Sequence, residues 1–465
     1  MNLTLAEVQR CLGNAADEGQ ERVQIRSVQT DSRAVEPGDL FVCLPGDTFD
    51  GHEFAAQAAK KGAAAVVASR MIPAVPVPVI MVTDTVRALG RLAACWRDIC
   101  GARLIAVTGT AGKTTVKEML FTVLSRKFPA AKNYRNFNNQ IGLPLSMLRA
   151  DESQAVWIME LGISRLGDME DLAPIATPDI AVITNVGPGH LEGLGDVAGV
   201  ARAKTALLRF LRQGGMAVIG RDHPLLWDAA RKIIPDPIGF SGDPDNLDTS
   251  YAAAFLGGAG PDGWGRFRLR TPEGDSEFTA PFCGDHYAEN LACVAAVAHQ
   301  LGMGRDEVIR GVQALVPDRQ RFCCRTTGDC MVIDDTYNAN PLSMARSIRT
   351  AAAMAGDREL VLVLGDMREL GAEAAMRHEE LGRLLGSIPL RAIFYKGDHF
   401  ADVARGLGDG PKPVRVTGAD DFIGKWRESG LGRGIALFKG SRSLKMEEFA
   451  TALCRELERL AGEEA

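Results

Sequence analysis

The chain has 465 residues, 46% of them apolar and 24% charged, an ordinary globular composition with enough length for two or three domains. A formal net charge of -6, without a local basic patch, argues against a nucleic-acid binder. The opening MNLTLAEVQRCLG lacks a basic stretch ahead of an apolar core, and no apolar run reaches the roughly eighteen residues a membrane span needs, so a cytoplasmic protein is expected.

Residues 23–28 and 40–44 read as strands around the turn Glu36-Pro37-Gly38-Asp39. Residues 51–61 read as a helix, and 63–68 and 77–82 as further strands limited by Pro73, Pro76 and Pro78. A small α/β unit over 1–83 results. Helical periodicity over 85–100 leads into a second unit, 84–316. There, apolar runs at 104–108, 156–161, 180–185 and 216–219 alternate with helical stretches, a pattern that predicts a mostly parallel sheet covered by helices. The Gly-rich interval 241–284, with turn signals Pro261-Asp262-Gly263 and Pro272-Glu273-Gly274-Asp275, reads as appended hairpins, and 288–301 as a closing helix. A third unit, 317–465, has strands at 331–334, 360–364, 392–395 and 435–438, each followed by polar residues. Ligands of open parallel sheets sit beyond the carboxyl ends of the strands, so these polar ends predict a working edge. The last residues, 462–465, read as a frayed tail.

Ten cysteines, at 11, 43, 95, 100, 283, 293, 323, 324, 330 and 454, include no pair at metal-finger spacing. Packing as small buried hydrophobes is expected for most of them. Cys323, Cys324 and Cys330 cluster in sequence, but no histidine or second pair joins them as a metal site would require.

The strongest chemical signal is an apolar β-run, 104–108, followed by Gly109-Thr110-Ala111-Gly112-Lys113-Thr114-Thr115 and a helical stretch to about residue 127. N–H groups at such a helix start wrap phosphate oxygens, Lys113 adds a charge at the β- and γ-phosphates, and Thr114 offers a hydroxyl to magnesium. The general pattern places another glycine where this chain has Val107. Glu160 and His190 each follow a strand of the same unit, where either could bind a divalent ion or serve as a structural hydrogen bonder. Lys204, in the helical stretch 200–211, reads by itself as a solvated lysine. Asn290, in Gly284-Asp285-His286-Tyr287-Ala288-Glu289-Asn290, reads by itself as a helix cap. Asp334-Asp335-Thr336-Tyr337-Asn338-Ala339-Asn340-Pro341 is richer in hydrogen bonders than a turn needs and marks a ligand site.

Together these motifs resemble the Mur ligase family, ATP-dependent amide-forming enzymes of peptidoglycan synthesis, over essentially the whole chain. The loop Gly109 to Thr115 is similar to that family's shortened version, which accounts for Val107. Four segments, 136–144 (NFNNQIGLP), 335–341 (DTYNANP), 365–371 (GDMRELG) and 439–443 (KGSRS), look like the branch that adds D-alanyl-D-alanine. The resemblance implies three α/β domains: a small UDP-binding domain (1–83), a central P-loop ATPase domain with a parallel sheet (84–316), and a C-terminal Rossmann-like domain (317–465). It implies ATP-driven joining of D-alanyl-D-alanine to UDP-N-acetylmuramoyl-tripeptide through an acyl phosphate, with Mg2+, in a monomer. Asp31, Ser32 and Arg33, with the stretch 46–52, would hold the UDP end, and Asn136, Asn138 and Asn139 would lie along the substrate. Thr114, Glu160 and His190 would hold magnesium, and Lys204 matches a lysine that some members carbamylate, although the family's glutamate two residues on is here Ala206. Asn290 and Asn338 would contact adenine, Asp335 the ribose, and Arg319 the phosphates, with Arg321 a competitor for that role. Asp366, Lys439 and Arg442 would form the face receiving D-alanyl-D-alanine. Rival readings are another Mur ligase, a folylpolyglutamate synthetase, or, from another class, a P-loop switch or motor.

Overall fold

The computed structural model of the protein describes residues 1–15, 20–46, 48–73, 75–246, 248–258 and 263–463. Asp47 of the stretch 46–52, Pro261 and Asp262 of one expected turn, and residues 464–465 of the tail lie outside the described residues.

Three α/β bodies follow one another, as the alternation of strand and helix predicts. The first has a four-stranded parallel sheet in chain order, Ser27–Gln29, Asp39–Val42, Ala65–Ala68 and Val79–Met81, beside a two-stranded antiparallel pair. The central body has nine strands. Arg103–Thr108 lies deep in this sheet, parallel to Ile180–Ile183 on one side and Val156–Glu160 on the other. Its run of apolar residues is buried on both faces, the reason a strand without polar alternation is stable there. Tyr251–Gly258, Gly265–Thr271 and Gly274–Ala280 extend the sheet as an antiparallel meander, the expected hairpins. The third body has six strands with Gly434–Lys439 between Cys330–Asp334 and Leu360–Gly365, all parallel except the edge strand Cys323–Thr327.

Five strands escape the sequence reading: Leu3–Thr4, Ala130–Lys132, Ile238–Ser241, Cys323–Thr327 and Val414–Arg415. Three of them hold only two or three residues, too few for any periodicity, and Cys323–Thr327 carries the polar residues of an edge. The region 51–61 opens as a 3-10 turn, Gly51–Phe54, with Asp50 accepting from the His52 N–H, before the helix Ala55–Lys60. The stretch 200–211 is likewise divided, into the helix Val197–Thr205 and a 3-10 turn, Ala206–Phe210. The tail is ordered further than expected, since helix Glu447–Glu463 includes Gly462 and Glu463.

Two readings of single residues need correction. Asn290 is no cap: the helix starts earlier and runs Asp285–Gln300, which puts Asn290 inside it. Cys11 and Cys95 are not isolated packing residues but a disulfide joining helices Leu5–Leu12 and Thr85–Cys100. Their separation of 84 residues left no spacing pattern to read. Cys43, Cys283, Cys293 and Cys330 are buried thiols, and no metal-binding cluster of three His, Cys, Asp or Glu side chains occurs among the described residues.

Helix Thr85–Cys100 is fastened to the central sheet by Arg97. Its buried guanidinium donates to the Thr177 carbonyl at 2.7 Å and to Asp179 Oδ2 at 2.5 Å, while the same Asp179 oxygen accepts from the Leu104 N–H at 2.7 Å. One carboxylate therefore joins the helix to the start of the strand that feeds the phosphate loop. Asp179→Ala would leave Arg97 buried without its counter-charge, and a loss of about 3 kcal/mol is expected. Urea unfolding should show it as a lower midpoint; an unchanged midpoint would remove Asp179 from this role.

Candidate active site

The strand Arg103–Thr108 delivers the chain into a turn that has no room for side chains. A Cβ at Gly109 would overlap Thr184 Oγ1, and one at Gly112 would sit 2.6 Å from Asn290 Oδ1. Gly112 also has φ 79°, where glycine is favoured, and it caps helix Lys113–Leu124 without any side-chain cap bond. The first N–H groups of that helix lack intrahelical acceptors and lie along a cavity of about 480 Å³, a ready anion site.

Side chains of the central body converge on this loop. Thr114 Oγ1 donates to Glu160 Oε2 at 2.9 Å, and Asn138 Nδ2 donates to Glu160 Oε1 at 2.8 Å. Burial acts to raise the Glu160 pKa, but Lys113, Lys117, the Asn138 amide and Arg321 outweigh it and hold the carboxylate ionised below its usual value. Lys113 Nζ donates to the Gly109 carbonyl at 2.9 Å, and its own pKa is lowered by burial. Asn133 ties the loop around Phe137 to the same strand end, donating to the carbonyls of Phe137 and Glu160.

The third body closes the cavity from the other side. Arg321 Nη2 donates to Thr114 Oγ1 at 3.0 Å, with its guanidinium 3.7 Å from the ring centroid of Tyr337. Lys439 Nζ is buried and donates to Asp335 Oδ2 at 2.6 Å and to the Asn338 carbonyl at 3.1 Å, and Ser347 Oγ donates to the same Asp335 oxygen. Deeper in, Glu289 of the central body meets Arg346 Nη1 of the third at 2.5 Å and His223 Nε2 at 2.9 Å. Burial would raise the Glu289 pKa; the Arg346 charge and the His223 hydrogen bond outweigh it and hold it at about 2. The cavity is thus a phosphate loop on one domain faced by cations, amides and a carboxylate on another.

Three family models cover the chain in order: the Mur ligase family catalytic domain at 24–97, the Mur ligase middle domain at 107–298, and the Mur ligase glutamate ligase domain at 320–442. The UDP-N-acetylmuramoyl-tripeptide–D-alanyl-D-alanine ligase of Bacillus subtilis is 33% identical over 95% of this chain and 96% of its own. The chain belongs to the Mur ligase family. Among solved structures, MurF from Acinetobacter baumannii superposes with a TM-score of 0.87 at 29% identity, covering 98% of this chain and 99% of that one. MurF ligase from Thermotoga maritima, in complex with ADP, gives 0.83 at 27% identity, covering 94% and 98%.

In this Mur ligase the cavity gathers many of the residues singled out from sequence: Thr110 to Thr115, Asn136, Asn138, Asn139, Glu160, His190, Asn290, Asp335, Asn338 and Lys439 line it. Gly109 does not line it and instead packs against Thr184 and Asn185. Asn139 also works locally, its Oδ1 accepting from the Gly142 N–H at 2.8 Å at the start of helix Gly142–Arg149. Asp31, Ser32 and Arg33 lie apart on the first domain; Asp31 pairs with Arg33 at 2.8 Å, and Ser32 is buried against Gln57. Arg442 is exposed beside the cavity, paired with Glu447.

Three expectations change. Lys204 is not a solvated lysine but a fully buried one, without a carboxylate at ion-pair distance among the described residues; burial and then Lys113 push its pKa well below the usual value. Asp366 does not present its carboxylate on an open acceptor face. It is wholly buried and taken up by Tyr395 Oη and the N–H groups of Asp398 and His399. Arg319 is exposed and does not line the cavity, whereas Arg321 touches the phosphate loop. The reading from residues alone also passed over Lys117, Asn133, Asn185, Glu289, Arg346 and Glu369. Lys117 was within reach, being one turn beyond Lys113 on the same helix.

Arg321→Ala should lower kcat/KM for ATP by about tenfold or more, the loss of a charge-assisted contact beside the phosphate loop. Arg319→Ala should stay near wild type. Steady-state kinetics at varied ATP checks both, and the reverse ranking would restore Arg319.

Proposed function

We propose that this chain joins the amine of D-alanyl-D-alanine to the terminal carboxylate of UDP-N-acetylmuramoyl-tripeptide, with ATP converted to ADP and phosphate. The observation that carries the reading is the cavity in which Lys113, Thr114 and Glu160 of the P-loop domain face Arg321, Asp335 and Lys439 of the third. The substrates are those in the name of the Bacillus subtilis relative. ATP fits both the phosphate loop and the ADP held by the Thermotoga maritima protein.

The substrate carboxylate attacks the γ-phosphorus, the β,γ-bridging P–O bond breaks, and ADP leaves an acyl phosphate. The incoming amine then attacks the acyl carbon, loses a proton, and expels phosphate. Lys113 and Arg321 hold the phosphate oxygens in place, and charge moving onto the transferred group is met by cations already positioned by the protein's own hydrogen bonds. Two domains facing one cavity exclude the water that would hydrolyse the acyl phosphate.

Thr114 Oγ1 and Glu160 Oε2, 2.9 Å apart at the cavity wall, are hard oxygen donors that suit magnesium, with His190 on the same wall. When bound, magnesium would neutralise phosphate charge. Burial lowers the pKa of the Lys204 amine and so favours the free-base form that carbamylation by CO2 requires, and we assign that modification to it. No helix among the described residues is long and apolar enough to cross a membrane. We place the enzyme in the cytoplasm as a monomer.

Phosphate release measured with UDP-N-acetylmuramoyl-tripeptide and ATP should rise sharply when D-alanyl-D-alanine is restored; equal turnover without it sinks the ligase reading. Lys113→Ala should abolish ligation while the first domain still binds the UDP substrate, checked by calorimetry. With 13C-bicarbonate, the protein should show a carbamate carbon resonance that disappears in Lys204→Arg. Its presence in that variant would place the modification elsewhere.

A further inference from the structure

Helix Lys113–Leu124 carries a second lysine one turn beyond the first, and it is almost wholly buried: Lys117 is 1% exposed. A buried ammonium persists only where its charge and its donors are taken up. Lys117 Nζ lies 3.1 Å from Glu118 Oε1 and 4.0 Å from Glu160 Oε2, and it donates to the Arg135 carbonyl at 3.3 Å. Its partners stand on three elements: the helix itself, the end of strand Val156–Glu160, and the loop that runs from strand Ala130–Lys132 to helix Gly142–Arg149.

That loop carries Asn136, Asn138 and Asn139, which line the cavity together with Lys113. Near its two ends it is tied to the central body: Asn133 donates to the carbonyls of Phe137 and Glu160, and the Gly162 N–H donates to the Asn138 carbonyl at 2.9 Å. The turn between these ties is exposed and passes through Arg135 at φ 53°, a left-handed conformation that a side-chain-bearing residue keeps only when its surroundings enforce it. With the backbone turned in this way, the Arg135 carbonyl meets the buried Lys117 Nζ while the Arg135 side chain stays outside, 5.0 Å from the Tyr134 ring.

We propose that Lys117 is a positioning residue: by holding the left-handed turn at Arg135, it sets Asn136 and Asn138 at a fixed distance from the phosphate loop. Lys113 and Lys117 are four residues apart on one rigid helix, a rise of about 6 Å. One end of that step meets the phosphate loop through the Gly109 carbonyl, and the other meets the asparagine loop. The helix then acts as a ruler between the phosphoryl donor and the carboxylate that receives it, and a misplacement of about 1 Å between two reactants can cost about a hundredfold in rate. This rests on the ligase reading, in which the asparagines lie along the UDP-linked substrate, but its first readout is independent of turnover.

The test uses the full-length chain. Lys117→Met keeps the length of the side chain and removes the ammonium. Arg135→Pro locks φ near -65° and forbids the turn without touching Lys117, whereas Arg135→Gly keeps the carbonyl and takes φ 53° freely. In ligand-free protein, backbone hydrogen exchange over residues 133–141, read by mass spectrometry, should be about tenfold faster or more in Lys117→Met and Arg135→Pro. In steady-state kinetics both should lower kcat/KM for the UDP-linked tripeptide by about tenfold or more, with KM for ATP within about twofold of wild type. Arg135→Gly should recover most of the loss seen in Arg135→Pro. The double variant Lys117→Met/Arg135→Pro should be no worse than the poorer single one, because both remove one interaction. Unchanged exchange over 133–141, a loss that falls on ATP alone, or multiplied losses in the double variant each overturn the proposal. If Lys117→Met does not fold, the two Arg135 variants carry the test, and full activity in Arg135→Pro overturns it. Wild-type protein that fails to ligate would instead strike the functional reading, with the exchange result standing separately.

Discussion

The phosphate loop keeps its shape because the adjacent strand grips it. The Asn185 carbonyl accepts from the Thr110 N–H at 3.0 Å, Asn185 Oδ1 accepts from the Ala111 N–H at 2.8 Å, and Thr184 Oγ1 donates to the Ala111 carbonyl at 2.8 Å. That proximity is what forbids a side chain at Gly109. It spends the first loop donors on protein and leaves those of Gly112 to Thr115 for a ligand. Every later feature of the site is measured from this clamp: Glu160 reaches Thr114, Arg321 reaches Thr114, and Asn290 presses on Gly112.

Much of this was legible in the chain itself, and for identifiable reasons. Long apolar runs such as 104–108 and 360–364 announce buried parallel strands, and glycines before a lysine and two threonines announce phosphate chemistry, because both signals are local. What was not legible depends on partners distant in sequence. Nothing near Lys204 says that its helix buries it within electrostatic reach of Lys113 and Glu160, and nothing near Asp366 says that Tyr395 and two backbone amides will consume its carboxylate. Arg319 and Arg321 are two residues apart, and only the path of the chain between domains decides which one turns toward Thr114.

The third domain contributes by fixed side chains more than by loops. Lys439 and Asp335 form a buried pair at the ends of neighbouring parallel strands, so the sheet itself sets their separation. Breaking one member of such a pair strands a buried charge, at a typical cost of about 3–5 kcal/mol. The Glu289–Arg346 contact has the same character across the domain boundary, with Asn185 Nδ2 at 3.3 Å from the Glu289 carboxylate. The residue that clamps the phosphate loop thereby also touches a carboxylate paired with the third domain.

The bond between Cys11 and Cys95 has a different kind of consequence. It closes almost the whole first domain into a covalent ring, with the helix Thr85–Cys100 as its gate to the central sheet. A protease that nicks an exposed loop inside that ring leaves two peptides joined by a covalent bond, which separate under denaturing conditions only once a thiol is added. In a reducing compartment that safeguard is absent, and after the same cut the amino-terminal piece is held by its packing alone.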